Sequence, residues 1–154
     1  MDSEIMDKAN AIYDAIYNQL ELEIRPDGLF EGFKLYPDKP IREGVVFPCM
    51  MLIRENFSED KNFFSGDGIR VLQLDIHLAF GSRNSFLREG DETFNAEDLI
   101  YNYISKLDEF YNKLEFPEEL NIENALRQVE PIFPLNPKTE QYGCVYSIAI
   151  YFER

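Results

Sequence analysis

Residues 69–80 alternate between apolar and mixed side chains, and a period of two is typical of a β-strand. One face of this segment is entirely apolar and carries Leu72, Leu74, Ile76, Leu78 and Phe80. The other face carries Val71, Gln73, Asp75, His77 and Ala79. Because a single strand cannot bury such a face, the pattern requires a sheet with a second layer packed on one side.

Four other segments are predicted to be strands of the same sheet. Residues 29–36 are predicted as a short strand, and residues 45–53 as a strand in which Pro48 implies an edge position or a bulge. Residues 142–152 alternate as 69–80 do and bring the end of the sequence into the sheet. Residues 121–133 are also interpreted as a strand, although the spacing of Ile122, Leu126 and Val129 is compatible with a helix as well.

Two segments have the three- and four-residue spacing of amphipathic helices. The first apolar stripe consists of Ile5, Met6, Ala9, Ile12, Tyr13, Ile16, Tyr17 and Leu20. The second, in residues 97–114, consists of Leu99, Ile100, Tyr103, Ile104, Leu107, Phe110, Tyr111 and Leu114. We therefore predict a single α+β domain over residues 1–154, a mostly antiparallel β-sheet with two amphipathic helices packed on one face.

The net charge of −14 is confined to the helical segments. Residues 1–23 carry six acidic and one basic residue, and residues 89–130 carry twelve acidic and three basic ones. Residues 24–88 and 131–154 are both electrically balanced. An acidic helical layer on a neutral sheet indicates different surroundings on the two sides of the domain.

This acidity argues against direct or sequence-specific binding of nucleic acid, and against an anionic membrane surface. No apolar run approaches the ~20 residues that span a bilayer, and the acidic start is unlike a signal peptide, so we expect a cytoplasmic protein. Cys49 and Cys144 both lie in apolar segments without ligand-like spacing. We expect them to be reduced core thiols.

The residues suggest no catalytic, metal or cofactor site. His77 is the only histidine, and Asp75 lies on the same strand face, but no nucleophile motif accompanies them. The segment Ser65-Gly66-Asp67-Gly68 lacks the lysine of a phosphate-binding loop and is interpreted as a turn. Glu59, Asp60 and Asp67 lack the spacing of a calcium loop. We therefore do not expect an enzyme.

Two predicted loops are longer than is needed to connect the elements on either side of them. They are residues 54–68, between two strands, and residues 81–95, between a strand and the second helix. If the strands they follow are antiparallel, the two loops leave the sheet at opposite ends. Their side chains either fold back as a satellite cluster or contact two different partners. On the second interpretation the partner interface consists of Phe57, Phe63, Phe64, Arg83, Phe86, Leu87 and Arg88.

The order of these elements resembles the tail-terminator, or tail-completion, proteins of long-tailed bacteriophages. The resemblance covers the whole chain as helix, hairpin with a long loop, second helix and closing strands. It is carried most by residues 124–131 and the tyrosine-rich residues 142–152, a strand followed by a variable loop and a final strand. Residues 24–43 depart from that family's layout at the start of the sheet.

The resemblance implies a non-enzymatic homo-oligomeric ring, commonly a hexamer in that family, without cofactors. Such a ring caps the tail tube, joins it to the neck or connector protein, and lets DNA pass through its lumen. It assembles in the host cytoplasm and remains in the virion.

Two other functions fit the same residues. A neck or head-completion connector has similar features. An acidic mimic of DNA, or an immunity-type inhibitor of a basic enzyme, would also use a carboxylate-rich helical face.

Overall fold

Helices and strands account for most of the described part of the chain. The computed structural model describes residues 3–37, 48–60, 69–80, 86–89, 92–120, 122–136 and 141–153. The elements in chain order are α1 (Ser3–Glu23), β1 (Lys34–Tyr36), β2 (Cys49–Asp60), β3 (Ile69–Phe80), β4 (Phe86–Glu89), β5 (Glu92–Asn95), α2 (Ala96–Asn112), β6 (Ile122–Asn136) and β7 (Gln141–Glu153). A single 3-10 turn, Glu118–Leu120, precedes β6.

Five strands form the main sheet in the order β1-β2-β3-β7-β6. Every pair is antiparallel except β1 with β2. The last strand of the sequence, β7, therefore lies inside the sheet between β3 and β6. A separate hairpin pairs β4 with β5 and leads directly into α2. The α+β class and the mostly antiparallel sheet are confirmed.

Both helices pack on the same face of the sheet, as predicted. Alternate residues of β2, β3 and β7 join the apolar stripes of α1 and α2 in one core. The Tyr13 hydroxyl donates to the Leu52 carbonyl at 2.7 Å and ties α1 to β2. The Tyr146 hydroxyl donates to Asp108 Oδ1 at 2.8 Å and ties β7 to α2. The two helices are thus anchored to different strands.

Several predicted boundaries are wrong. Residues 54–60 are not a loop, because β2 continues to Asp60 through a bulge between Arg54 and Asn56. That extra residue shifts the alternation, so a paired strand looks aperiodic. Pro48 lies just before β2 rather than at an edge or bulge. The predicted loop of residues 81–95 contains the β4–β5 hairpin, and the helical alternative for 121–133 is wrong, because β6 is a strand.

The connection from α1 to the sheet is largely a series of turns, which contradicts the predicted strand over residues 29–36. Only Lys34–Tyr36 is strand. Phe30 and Phe33 are instead buried beneath α2, each within 6.3 Å (ring centroids) of Tyr103. Burial of these two rings outweighs the β propensity of the segment.

Gly28 is required where this connection leaves α1. A Cβ atom at position 28 would lie 2.1 Å from the carbonyl oxygen of Glu23, which accepts the Phe30 amide. We expect Gly28→Ala to lower the free energy of unfolding by about 3 kcal/mol, because backbone must move. Gly32→Ala is the control, since position 32 has φ +88° but open space around it, and should cost only about 1 kcal/mol. Urea titration measures both, and an equal or reversed order would contradict the steric explanation.

Candidate functional site

We call the side of the sheet turned away from α1 and α2 the helix-free face. It consists of the alternate residues of the three inner strands that do not join the main core. Its members with described side chains are Cys49, Met51, Ile53, Val71, Gln73, Asp75, His77, Ala79, Val145, Ser147, Ala149 and Tyr151. Eight of these twelve are apolar, and register pairing adds the polar residues Asn56, Ser58 and Asp60 of β2 to the same face. An antiparallel sheet with one solvated face usually alternates apolar with polar, so the apolar residues of this face on β3 and β7 favour contact with another surface.

The two ends of the helix-free face differ in exposure. Near β1, the side chains of Cys49, Met51 and Ala79 are at most 1% exposed and form a small second cluster. Toward the other end, the side chains of Ile53 and Val71 are half-buried, as are those of Ala149 and Tyr151. The accessible apolar surface is therefore concentrated away from β1.

The two edges of the sheet show the same asymmetry. β1 pairs only with the first three residues of β2, Cys49 to Met51. Among the strands that the structure describes, none lies on the outer side of β2 beyond Met51 or on the outer side of β6. Near β1, however, β6 contains Pro131 and Pro134 and two register shifts. Proline cannot donate to a neighbouring strand, so this part of the edge is protected.

Among the described residues, the opposite end of the sheet lacks the covering strand and the prolines, and we call it the open end. It comprises residues 54–60 of β2, 69–74 of β3, 148–153 of β7 and 122–127 of β6. Its edge strands contain no proline, and each has one register shift, in β2 at Arg54/Asn56 and in β6 at Ile122/Asn124. Both edges present main-chain groups there, beside the half-buried side chains of Val71, Ala149 and Tyr151 on the helix-free face. Such edges are templates for pairing with another chain.

A polar group lies in the middle of the helix-free face. Asp75 is only 6% exposed, and its Oδ1 accepts the Ser147 hydroxyl at 2.6 Å. His77 Nε2 lies 3.9 Å from Asp75 Oδ2, shielded from solvent and without a hydrogen bond. The carboxylate thus lies between serine and imidazole, whereas an activated serine needs the imidazole in the middle. In this arrangement the Ser147–Asp75 hydrogen bond joins β7 to β3, and the imidazole is not placed to activate the serine.

Apart from Glu23 and Asp108, the carboxylates of the helical side whose burial is described are exposed. Asp7, Asp14 and Glu21 on α1 are exposed, as are Glu109 on α2 and Glu118 and Glu119 in the 3-10 turn. The acidic helical layer inferred from the sequence is therefore a surface of the domain. Against it, the only charged group buried on the helix-free face, in the part of the chain described, is Asp75.

The C-terminal ends of α1 and α2 enclose a groove of about 710 Å³. Gln19 donates to the Glu115 carbonyl at 2.8 Å and accepts the Glu115 amide at 3.0 Å. Glu23 forms an ion pair with Lys113 and accepts the Leu29 amide at 2.8 Å. Leu22, 56% exposed, lines the rim. These polar contacts hold the two helix ends together.

Glu23 gives this contact a pH dependence. Burial alone would raise the pKa of the Glu23 carboxyl, but hydrogen bonds from Lys113 and Leu29 and the charge of Lys113 together lower it below 4.5. The stabilisation is therefore present above pH 4.5 and is lost as the pH falls through the lowered pKa. We expect Glu23→Gln to cost about 1 kcal/mol at pH 7 and progressively less below pH 4.5. Urea titrations of this variant and of the exposed Glu21→Gln across pH 3–7 test it; a pH-independent difference would contradict it.

Both cysteines are free and buried, as predicted. Burial raises the pKa of Cys49 to about 11 and that of Cys144 to about 12. Because the thiolate is the reactive form, we expect neither to react with Ellman's reagent at pH 8 in the folded protein. Both should react in 6 M guanidinium chloride. Rapid reaction of a thiol in the native state would contradict this account of their burial.

The structure scatters the residues predicted for a partner interface. Phe57 belongs to β2, where it pairs with Leu72, and is not a loop residue. Phe86, Leu87 and Arg88 belong to β4 of the hairpin. Phe63, Phe64 and Arg83 lie outside the described residues. The antiparallel pairing of β2 and β3 does place the last residues of these two strands, Asp60 and Phe80, at opposite ends of the sheet.

Sequence periodicity does not reveal the open end, because residues 54–60 lack a regular period and are predicted as a loop. Allowing one bulge at Glu55 restores the period of two through Asn56 and Ser58, and that signal could have identified the extended strand. No group of three or more potential metal ligands occurs among the described residues. None of the helices described is long and apolar enough to cross a membrane.

Comparison with known proteins yields no family assignment. No family model matches the chain, and no curated protein is significantly similar to it in sequence.

Proposed function

We propose that the chain is a structural subunit of a homo-oligomeric ring, the tail terminator at the head–tail junction of a long-tailed bacteriophage. The observation that carries the proposal is the open end, where two sheet edges lie beside the partly exposed apolar side chains of Val71, Ala149 and Tyr151. A surface of this kind favours self-association, because it offers both main-chain hydrogen bonds and apolar area. The order of helices and strands along the chain, which resembles that of tail terminators, supports the choice of this family.

The same proposal names two further partners, which would contact the ring on its two opposite sides along the tail axis. Segments that leave the sheet at opposite ends suit contacts with a tail-tube protein on one side and a neck or connector protein on the other. The β4–β5 hairpin, with Phe86, Leu87 and Arg88, is the described candidate for one of these contacts. The virion is the final location, after assembly in the host cytoplasm, and DNA passes through the lumen.

A single mass measurement tests the ring. We expect light scattering of the purified 18.1 kDa chain to give a discrete species near six copies, about 109 kDa, that increases with concentration. Electron microscopy of that species should show closed rings with a central hole. Monomer at every concentration, or open polymers of no fixed size, would contradict the proposal.

The exposed carboxylates of α1 and α2 favour a second candidate, an acidic inhibitor or DNA mimic that blocks a basic enzyme. This function predicts a monomer or dimer, and binding to a basic partner that weakens steeply with salt. Light scattering therefore separates the two proposals before any partner is known. A neck connector would give the same rings as a terminator, and binding to tail tubes distinguishes these two.

A further inference from the structure

We propose that residues 54–60 of β2 in one copy pair antiparallel with residues 122–127 of β6 in the next copy, so that the sheet continues from subunit to subunit. This inference rests on the proposed ring. It adds which segments form the subunit contact, in which direction they run and which half of each edge takes part.

Strand direction permits this contact between copies in the same orientation. β2 is antiparallel to β3, β3 to β7, and β7 to β6. β2 and β6 therefore run in opposite directions at the two edges of one sheet. When a second copy is placed beside the first without being turned over, β6 of one faces β2 of the other as an antiparallel pair, which a head-to-tail ring requires.

Protection of the other end confines the contact to half of each edge. β1 occupies the outer side of β2 at Cys49 to Met51, and prolines 131 and 134 interrupt β6 at the same end. Among the strands that the structure describes, both edges lack a neighbouring strand at the same height only at the open end, where the Ala125 carbonyl of β6 already accepts the Tyr111 hydroxyl at 2.6 Å. Natural sheets use covering strands and prolines to prevent edge pairing, so their absence from this end alone, within the described residues, is informative.

Electrostatics disfavours the other obvious contact between copies. The outward side of the helices carries exposed carboxylates, among them Asp7, Asp14 and Glu109. Contact between two such surfaces would bring like charges together. At the open end, residues 54–60 of β2 carry one basic and three acidic residues, whereas residues 122–127 of β6 are balanced by Glu123 and Arg127, so the edge contact joins an acidic segment to a neutral one. The edge contact is therefore favoured over helix-to-helix contact.

Register pairing identifies positions for a covalent test. Ser58 pairs with Val71, Val71 with Tyr151, and Tyr151 with Asn124, so these residues form one row across four strands. If the sheet continues without a shift, Ser58 of one copy lies opposite Asn124 of the next. Directly opposite Cβ atoms in an antiparallel pair are about 4.5–5.5 Å apart, close enough for a disulfide after small adjustment.

The test combines Ser58→Cys with Asn124→Cys in one chain. Companion variants combine Ser58→Cys with Leu126→Cys or with Gln128→Cys, and detect a register shifted by two or four residues. Cys49 and Cys144 are buried and should not interfere. The matched control has two exposed thiols on the helices, Asn18→Cys with Ser105→Cys. Thermal unfolding and light scattering first establish that each variant folds and associates as the parent does.

We expect one Ser58 combination, after mild oxidation, to give a ladder of covalent multimers that ends at the ring size. Its cross-linking rate should exceed that of the control about tenfold or more, because assembly raises the local thiol concentration. Each single-cysteine variant can form nothing larger than a covalent dimer. A ladder without an end would support the strand pairing but contradict the closed ring.

Rings of normal mass in which no Ser58 combination cross-links faster than the control would overturn the strand pairing and leave the proposed function intact. Monomers that cross-link no faster than the control would overturn both.

Discussion

Replacing Phe30 by alanine is expected to lower the free energy of unfolding by about 3–5 kcal/mol. The Phe30 side chain is 0% exposed and lies between the helices and the sheet. Its ring centroid is 6.2 Å from those of Phe33 and Phe110 and 6.3 Å from that of Tyr103. Alanine would leave a cavity at the centre of this aromatic cluster, because the strands and helices around it cannot all close in.

Equilibrium urea denaturation of the parent and of Phe30→Ala measures the effect. The control is Tyr101→Ala, which also removes an aromatic ring but from a position on α2 that is 56% exposed. We expect the control to change stability by no more than about 0.5 kcal/mol. Similar losses for the two variants would mean that the turns between α1 and β1 do not hold Phe30 in the core.

Proline substitutions at two neighbouring positions of β2, Ser58 and Glu59, are expected to have opposite consequences. Successive amides of a strand point to opposite edges, so one of these N–H groups points toward β3 and the other toward the open edge. Proline at the inward position removes a bond within the sheet and should cost about 3 kcal/mol of stability. Proline at the outward position should leave the fold intact and weaken assembly about 100-fold, since about 3 kcal/mol is lost at each subunit contact.

Thermal unfolding reports the first consequence, and sedimentation velocity over a concentration series reports the second. Each variant serves as the control for the other, because both place the same residue in the same strand. If both variants assemble like the parent, the outer edge of β2 takes no part in the subunit contact. If both are destabilised equally and neither changes assembly, the described pairing of β2 is wrong.

Periodicity is sufficient to predict the elements that bury one regular face. β3 spans residues 69–80 as predicted, because its apolar alternation is uninterrupted. The stripes of α1 and α2 likewise predict the helices, although Met6 of the first stripe is 38% exposed. Because each pattern repeats over three or more turns or pairs, local sequence determines both the element and its buried side.

Irregular elements are not predictable by the same argument. One extra residue at Glu55 shifts the phase of β2, so its second half, which supplies the open end, resembles a loop in sequence. Phe30 is buried from a series of turns whose conformation depends on α2, an element some 70 residues further along the chain. The Ser147–Asp75 hydrogen bond joins strands 72 residues apart in sequence. Long-range contacts of this kind leave no periodic signal.

The candidate surface can be inferred from the sequence in outline, but the structure places it on other residues. Charge segregation predicts the acidic helical surface, because it depends on composition alone, whereas the different surroundings of the two sides stay a prediction. The predicted aromatic loop residues are instead distributed between β2, the β4–β5 hairpin and the segments beyond the described residues. An edge is defined by which strands lack neighbours, and strand order cannot be read from local spacing.

Hydrogen exchange of the assembled and the dilute protein tests most directly whether the open end forms the subunit contact. Amides that pair between copies are protected only after assembly, whereas amides within the sheet are protected in both states. We predict that concentration will slow exchange in residues 54–60 and 122–127 and leave α1 and α2 unchanged. Protection gained in the helices instead, or at no site in the chain, would contradict the account.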